Sequence, residues 1–157
     1  MMGFNIRVKA SDLGLKQLKI SALSAVRPAA QAGADVFYKE VKQNVGKIRR
    51  RTGNLASSIY QVYSKDNSTP STATYHISWN AKKAPHGHLV EYGHIQRYRV
   101  VRDEATGQLI TLKSQPLPHP VHVAARPFIR PAEVVAPKVE QAIHDRFLKE
   151  LEDRGVL

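Results

Sequence analysis

The chain has no cysteine. That removes disulfides, thiolate metal sites and cysteine nucleophiles together, and it fits a reducing compartment. No run of 18 apolar residues occurs, so no membrane-spanning helix and no membrane partner is expected. The start, Met1-Met2-Gly3-Phe4-Asn5-Ile6-Arg7, has neither the basic opening nor the apolar centre of a signal peptide. There is no Gly-rich phosphate loop, no Gly-x-Ser-x-Gly elbow and no helical His-Glu-x-x-His. Helix-turn-helix and RNA-recognition signatures are missing too, as are internal repeats and low-complexity tracts.

What remains is a strongly cationic chain of 157 residues, the size of one domain with a real core. Its formal charge of +11 is unevenly spread. Residues 1–40 carry a net +3, residues 41–130 a net +10 and residues 131–157 a net −2. A basic middle followed by a mildly acidic end points to a polyanion nearby or to an acidic neighbouring subunit.

Periodicity places the elements. Phe4-Asn5-Ile6-Arg7-Val8 alternates as a half-buried strand. Ser11-Asp12 can cap a short turn over Leu13 to Leu18. A long helix is expected from about Ser24 to Val45, with Val26, Ala30, Ala34, Phe37 and Val41 as its apolar stripe. Pro28 belongs in its first turn or kinks it. Ala29, Ala30, Ala32, Gly33 and Ala34 allow another element to come close, from this chain or a neighbouring one. Thr52 is a good N-cap for a short helix to Ile59, with Leu55 and Ile59 on one inward face. Strands follow at Tyr60–Ser64 and Ala73–Trp79. His88–Tyr92 reads as a short strand or a helix-like turn stopped by Gly93. Tyr98–Arg102 and Gln108–Leu112 form a hairpin, and Ser114 to Ala124, with three prolines, an extended connector. The last helix runs from about Pro131 to Glu152, with Val135, Val139, Ile143, Phe147 and Leu151 spaced by four. Pro137 kinks it or marks a restart. The expected fold is α+β: a mostly antiparallel sheet with two long helices packed on one face, plus a protruding β-hairpin. One domain over 1–157 carries a hairpin and connector insertion at about 95–124.

Chemistry-bearing residues are sparse. In Arg126-Pro127-Phe128-Ile129-Arg130-Pro131-Ala132 each proline bars the preceding arginine from αR, so the segment is held extended and Phe128 or Ile129 can plug the core. Pro131 suits a helix's first turn. Glu91 is the only acidic residue between Asp66 and Asp103. A lone carboxylate in basic surroundings pairs with an arginine, Arg126 or Arg51, and fixes a corner of the fold. A catalytic acid would need a second carboxylate or a base at a suggestive spacing, and none is present. His86, His88, His94, His119 and His122 gather in one stretch, yet no carboxylate cluster completes a zinc site with them. The run Lys47-Ile48-Arg49-Arg50-Arg51, with Tyr60 and Tyr63 nearby, can bind phosphates and stack bases.

Three stretches stand in a telling order: Arg51-Thr52-Gly53-Asn54-Leu55-Ala56-Ser57-Ser58-Ile59, Leu89-Val90-Glu91-Tyr92-Gly93-His94 and Ala125 to Ala132. Together they resemble the head–tail joining proteins of tailed bacteriophages, the gene-product-ten-like group of tail-completion or neck proteins. The resemblance covers roughly residues 15 to 150. It implies a small α+β virion subunit that assembles as a homo-oligomeric ring, commonly a hexamer, between tail tube and head connector, with DNA passing through. It implies no catalytic centre and no cofactor, and a location in the virion after assembly in the host cytoplasm. The residues that match are Thr52, Gly53, Leu55 and Ile59, then Glu91, Tyr92 and Gly93, then Arg126, Pro127, Phe128, Arg130, Pro131 and Ala132. His94 departs from the small hydroxyl residue often found after the glycine. Expected partners are the chain itself, the tail terminator or tail tube, and the head connector. Lys47, Arg49, Arg50, Arg51, Lys82 and Lys83 are the candidate contacts to DNA or partner. Subunits would interlock through the small-residue face of the long helix, the hairpin and the connector. Two other readings compete: a basic nucleic-acid-binding domain without sequence preference, and an enzyme using the histidine-rich loops.

Overall fold

A computed structural model describes residues 12–48, 53–107 and 109–156. The strand expected over Phe4–Val8 lies outside the described residues, as do Arg49, Arg50, Arg51 and Thr52. The elements, in chain order, are α1 (Asp12–Lys47), α2 (Asn54–Ser58), β1 (Ile59–Tyr63), β2 (Tyr75–Trp79), α3 (Gly87–Tyr92), β3 (His94–Arg102), β4 (Leu109–Val123), a 3₁₀ turn (Arg130–Val135) and α4 (Ala136–Glu152).

The class is α+β, but the single sheet is corrected. Among the described residues there are two separate two-stranded sheets, β1 with β2 and β3 with β4. The bonds from Ser64 N–H to Thr74 O and from Asn80 N–H to Ser58 O make the first pair antiparallel. Each strand pairs with its nearest neighbour in sequence, where the closing loop costs least entropy.

α1 also departs from expectation. It runs unbroken for 36 residues instead of starting at Ser24. Ser24 does not interrupt it, because its hydroxyl bonds back to the Ser21 carbonyl at 2.8 Å. Pro28 sits in the helix interior and not in a first turn.

Contacts divide the chain into two compact units. The first comprises the described part of residues 1–40 with 60–78 and 132–156. Its stretch of α1 buries Ser21, Ala25, Ala29, Gly33 and Ala34. Of the expected stripe only Ala34, and further on Val41, is buried. A Cβ on Gly33 would lie 2.5 Å from Ile143 Cγ1 and 3.2 Å from Val139 Cγ1, so the small residues admit α4 of the same chain. Asp35 ties α1 to β1 by accepting from Gln31 at 2.7 Å and from Gln61 at 2.9 Å. The Arg27 guanidinium lies 4.3 Å from the Tyr63 ring centroid. Pro137 marks a restart, standing in the first turn of α4 after the 3₁₀ turn.

The second unit comprises 41–59 and 79–131, less the undescribed positions. Val41, Val45, Leu55, Ile59, Ala84 and Phe128 are its buried apolar residues. The N-cap of α2 is Gly53, at φ 77°, with no side-chain cap. Thr52, the expected cap, lies outside the described residues. The stretch from Ser114 is not a free connector but continues β4 as far as Val123. Its far end pairs with the start of β3, His94 with Val123 and Gln96 with Val121. Register breaks on either side of Tyr98 take up the extra length of β4.

Candidate functional site

Apart from Thr52, which is not described, and Ala132, which falls in the first unit, the recurrent motif residues lie in the second unit. Gly87 opens α3 directly against the Trp79 indole, leaving no room for a Cβ. Gly93 closes α3 at φ 73°, where L side chains are strained. A Cβ there would lie 2.8 Å from both Ala125 N and Val123 O. That clearance lets the segment after β4 run alongside α3, where Arg126 N–H donates to Val90 O at 2.8 Å.

Glu91 then organises the segment. Its side chain is 1% exposed. Oε2 accepts the N–H groups of Phe128 at 2.7 Å and Ile129 at 3.1 Å. Oε1 accepts Arg130 N–H at 3.1 Å and its Nε at 3.2 Å. The same guanidinium donates to the Glu91 carbonyl at 2.6 Å and lies 5.1 Å from the Tyr92 ring centroid. Burial by itself would raise the Glu91 pKa. The N–H groups of Phe128, Ile129 and Arg130, with the Arg130 side chain, outweigh it and hold the carboxyl below its ordinary range. An arginine such as Arg126 or Arg51 is the expected partner of Glu91; among the described residues the arginine on the carboxylate is Arg130 and not Arg126, and Arg51 lies outside them.

These bonds seat Phe128, which is fully buried and meets Trp79 edge-on at 5.7 Å between ring centroids. Asn44 of α1 donates to the Phe128 carbonyl at 3.3 Å, and Lys47 Nζ bonds Asn44 Oδ1 at 3.2 Å. Asn44 was not legible as a motif residue, since nothing local to it signals a contact 84 positions away. Leu55 and Ile59 are buried; Tyr92 is 66% exposed. With both carboxylate oxygens engaged by structural donors, Glu91 is placed to hold the chain rather than to transfer a proton.

The cations are arranged differently. Among the described residues the second unit holds ten Lys and Arg against three Asp and Glu, while the first holds nine against ten. Lys47, Lys82, Lys83, Arg97, Arg99 and Arg126 have no ion pair among the described residues. Lys82 and Lys83 are exposed on a turn whose N–H groups bond Asn80 Oδ1. Lys47 and Arg126 line one open pocket of about 480 Å³ with Asn44, Ile48, Pro127 and Pro131. Arg49, Arg50 and Arg51 lie outside the described residues. No group of three or more His, Asp or Glu able to hold a metal ion occurs among the described residues. None of the helices there is long and apolar enough to cross a membrane.

Comparison with protein families matches residues 14–93 to the HK97-gp10-like family, described as "Bacteriophage HK97-gp10, putative tail-component". No curated protein and no solved structure matches the chain. The match spans half the chain, and the protein belongs to this family of phage tail components.

Proposed function

We propose that this phage tail component is the head–tail joining subunit of its virion. It forms a ring between tail tube and head connector and leaves a channel for DNA. Membership of the family supports a structural role in the virion. The observation that carries the finer reading is the charge segregation, ten cations against three acids in the second unit and near balance in the first. A ring threaded by DNA needs a cationic surface without sequence readout. Lys47 and Arg126 at one pocket, with Lys82 and Lys83 on an exposed turn, supply separate points for phosphate contact. The motif residues around Glu91 do not act on a substrate in this reading. They fix the corner that presents Arg126.

The test is the mass of the purified protein by light scattering across concentration and salt, with and without DNA. A discrete ring-sized species is expected without DNA, and its addition to separated heads and tails should yield joined particles. A chain that stays monomeric, binds DNA with strong salt dependence and joins nothing would favour the second reading, a nucleic-acid-binding domain acting alone. The same unpaired cations would carry that activity.

A further inference from the structure

Charge is unevenly divided along the hairpin of β3 and β4. The two strands carry Arg97, Arg99, Arg102 and Lys113 and no acid. The turn over 103–107 carries Asp103 and Glu104 and no Lys or Arg. That turn is shaped by its own bonds. The Asp103 carboxylate accepts the Ala105 N–H at 3.2 Å and the Thr106 hydroxyl, and its carbonyl accepts the Gly107 N–H at 2.8 Å. Arg102 Nε donates to the Gly107 carbonyl at 3.2 Å. Asp103 is thus occupied inside the turn, while Glu104 is exposed and has no ion pair among the described residues. A turn fixed before contact loses little entropy on docking.

The base of the hairpin has the opposite charge. Ile95, Arg97 and Tyr98 line a groove of about 910 Å³ with Leu89, Val90 and Val123, and no Asp or Glu lines it. Arg97 is exposed without an ion pair, and Ile95 and Tyr98 are exposed beside it. All thirteen acidic residues of the chain lie at described positions, and none pairs with Arg97. An ion-pair partner for Arg97 therefore has to come from another molecule. The apolar walls favour a protein segment over a phosphate backbone, which has no apolar surface to match them. The hairpin turn of a second copy offers both parts, the Glu104 carboxylate and the exposed Ile110 behind it. Leu109 and Thr111 line the groove, so alternation puts Ile110 on the opposite face of the hairpin. We propose that the turn of one copy docks at the hairpin base of the next, with Glu104 paired to Arg97 and Ile110 set against the groove wall. The inserted face and the receiving face are different surfaces, so the contact passes from copy to copy until a ring closes. This rests on the ring reading above and names the contact that builds it.

The test compares wild type, Glu104→Arg, Arg97→Glu and the double exchange by light scattering across concentration. Both side chains are exposed, so far-ultraviolet dichroism should be retained. The expected result is association at least tenfold weaker in each single variant and within about threefold of wild type in the double variant. Only the exchange restores unlike charges across the boundary. Carbodiimide coupling of Arg97→Lys gives a second reading without a reversed charge. It should join Glu104 of one copy to the new lysine of another. Within one copy the five strand steps from position 97 to 102 alone span about 16 Å, too far for a direct amide. Single variants that assemble as wild type, a double variant no better than either single, or assembled chains without that cross-link overturn the contact and leave the ring standing. If Arg97→Glu weakens binding to duplex DNA while assembly is unchanged, Arg97 serves DNA and the contact is overturned as well. A wild-type chain that stays monomeric or stops at a dimer, alone and on added tails, overturns the ring and this contact together.

Discussion

Replacing Glu91 by alanine should be the most damaging single change to the second unit. The carboxylate is 1% exposed and accepts three backbone N–H groups and one guanidinium N–H. Each buried donor left without a partner costs about 1–3 kcal/mol. Water entering beside the half-exposed Arg130 offsets part of that sum, and breaking buried ion pairs generally costs about 3–5 kcal/mol. We expect about 3–5 kcal/mol for Glu91→Ala. For a chain of this size that is a fall in Tm of about 10 °C. Glu91→Gln keeps one acceptor oxygen and should cost about 1–3 kcal/mol. Arg130→Ala should cost less than Glu91→Ala, because the arginine side chain is 53% exposed and its pairing is screened. Trp79 is the only tryptophan and touches Phe128, so its fluorescence during urea unfolding reports on this unit. The folded pKa of Glu91 lies below its ordinary value of 4.5. Its contribution is therefore complete above that value and is lost as pH falls through the folded pKa. Acid titration of stability should be shallower in Glu91→Gln than in wild type. An alanine variant within about 1 kcal/mol of wild type at neutral pH would refute the claim that Glu91 anchors the segment.

Three further changes test the packing. Phe128→Ala, at a fully buried position, should destabilise by about 3–5 kcal/mol in urea unfolding followed at Trp79. Gly93→Ala combines a φ of 73° with a Cβ 2.8 Å from two backbone atoms, so its cost should reach about 2 kcal/mol or more by thermal melting. Gly33→Ala should cost about 1–3 kcal/mol by overpacking against Ile143, and Ile143→Val in the same chain should recover part of it.

Legibility followed the range of the physical cause. The α+β class and the existence of strands near β1, β2, β3 and the start of β4 came from alternation within a few residues. The restart at Pro137 was one of two readings, and ring geometry allowed no others. The phase of the buried face of α1 was not legible. Val26 and Ala30 looked like its natural members, but the buried face runs through Ala25, Ala29 and Gly33, where Gly33 lies against Ile143 of α4. The expected start at Ser24 falls inside α1, where Ser24 spends its hydroxyl within the helix.

The same division holds at the motif corner. Proline chemistry, a lone carboxylate and the excess of cations are properties of residue type, and they are readable wherever those residues stand in the chain. Which donors reach Glu91 is not. Three of its four bonds come from backbone N–H groups, which every residue but proline owns and which leave no mark in a sequence. The arginine that completes the set is Arg130, not Arg126, because α3 and the segment after β4 run close enough for one guanidinium to reach both the carboxylate and the Glu91 carbonyl. That choice left Arg126 beside Lys47, and it was made only when the chain packed.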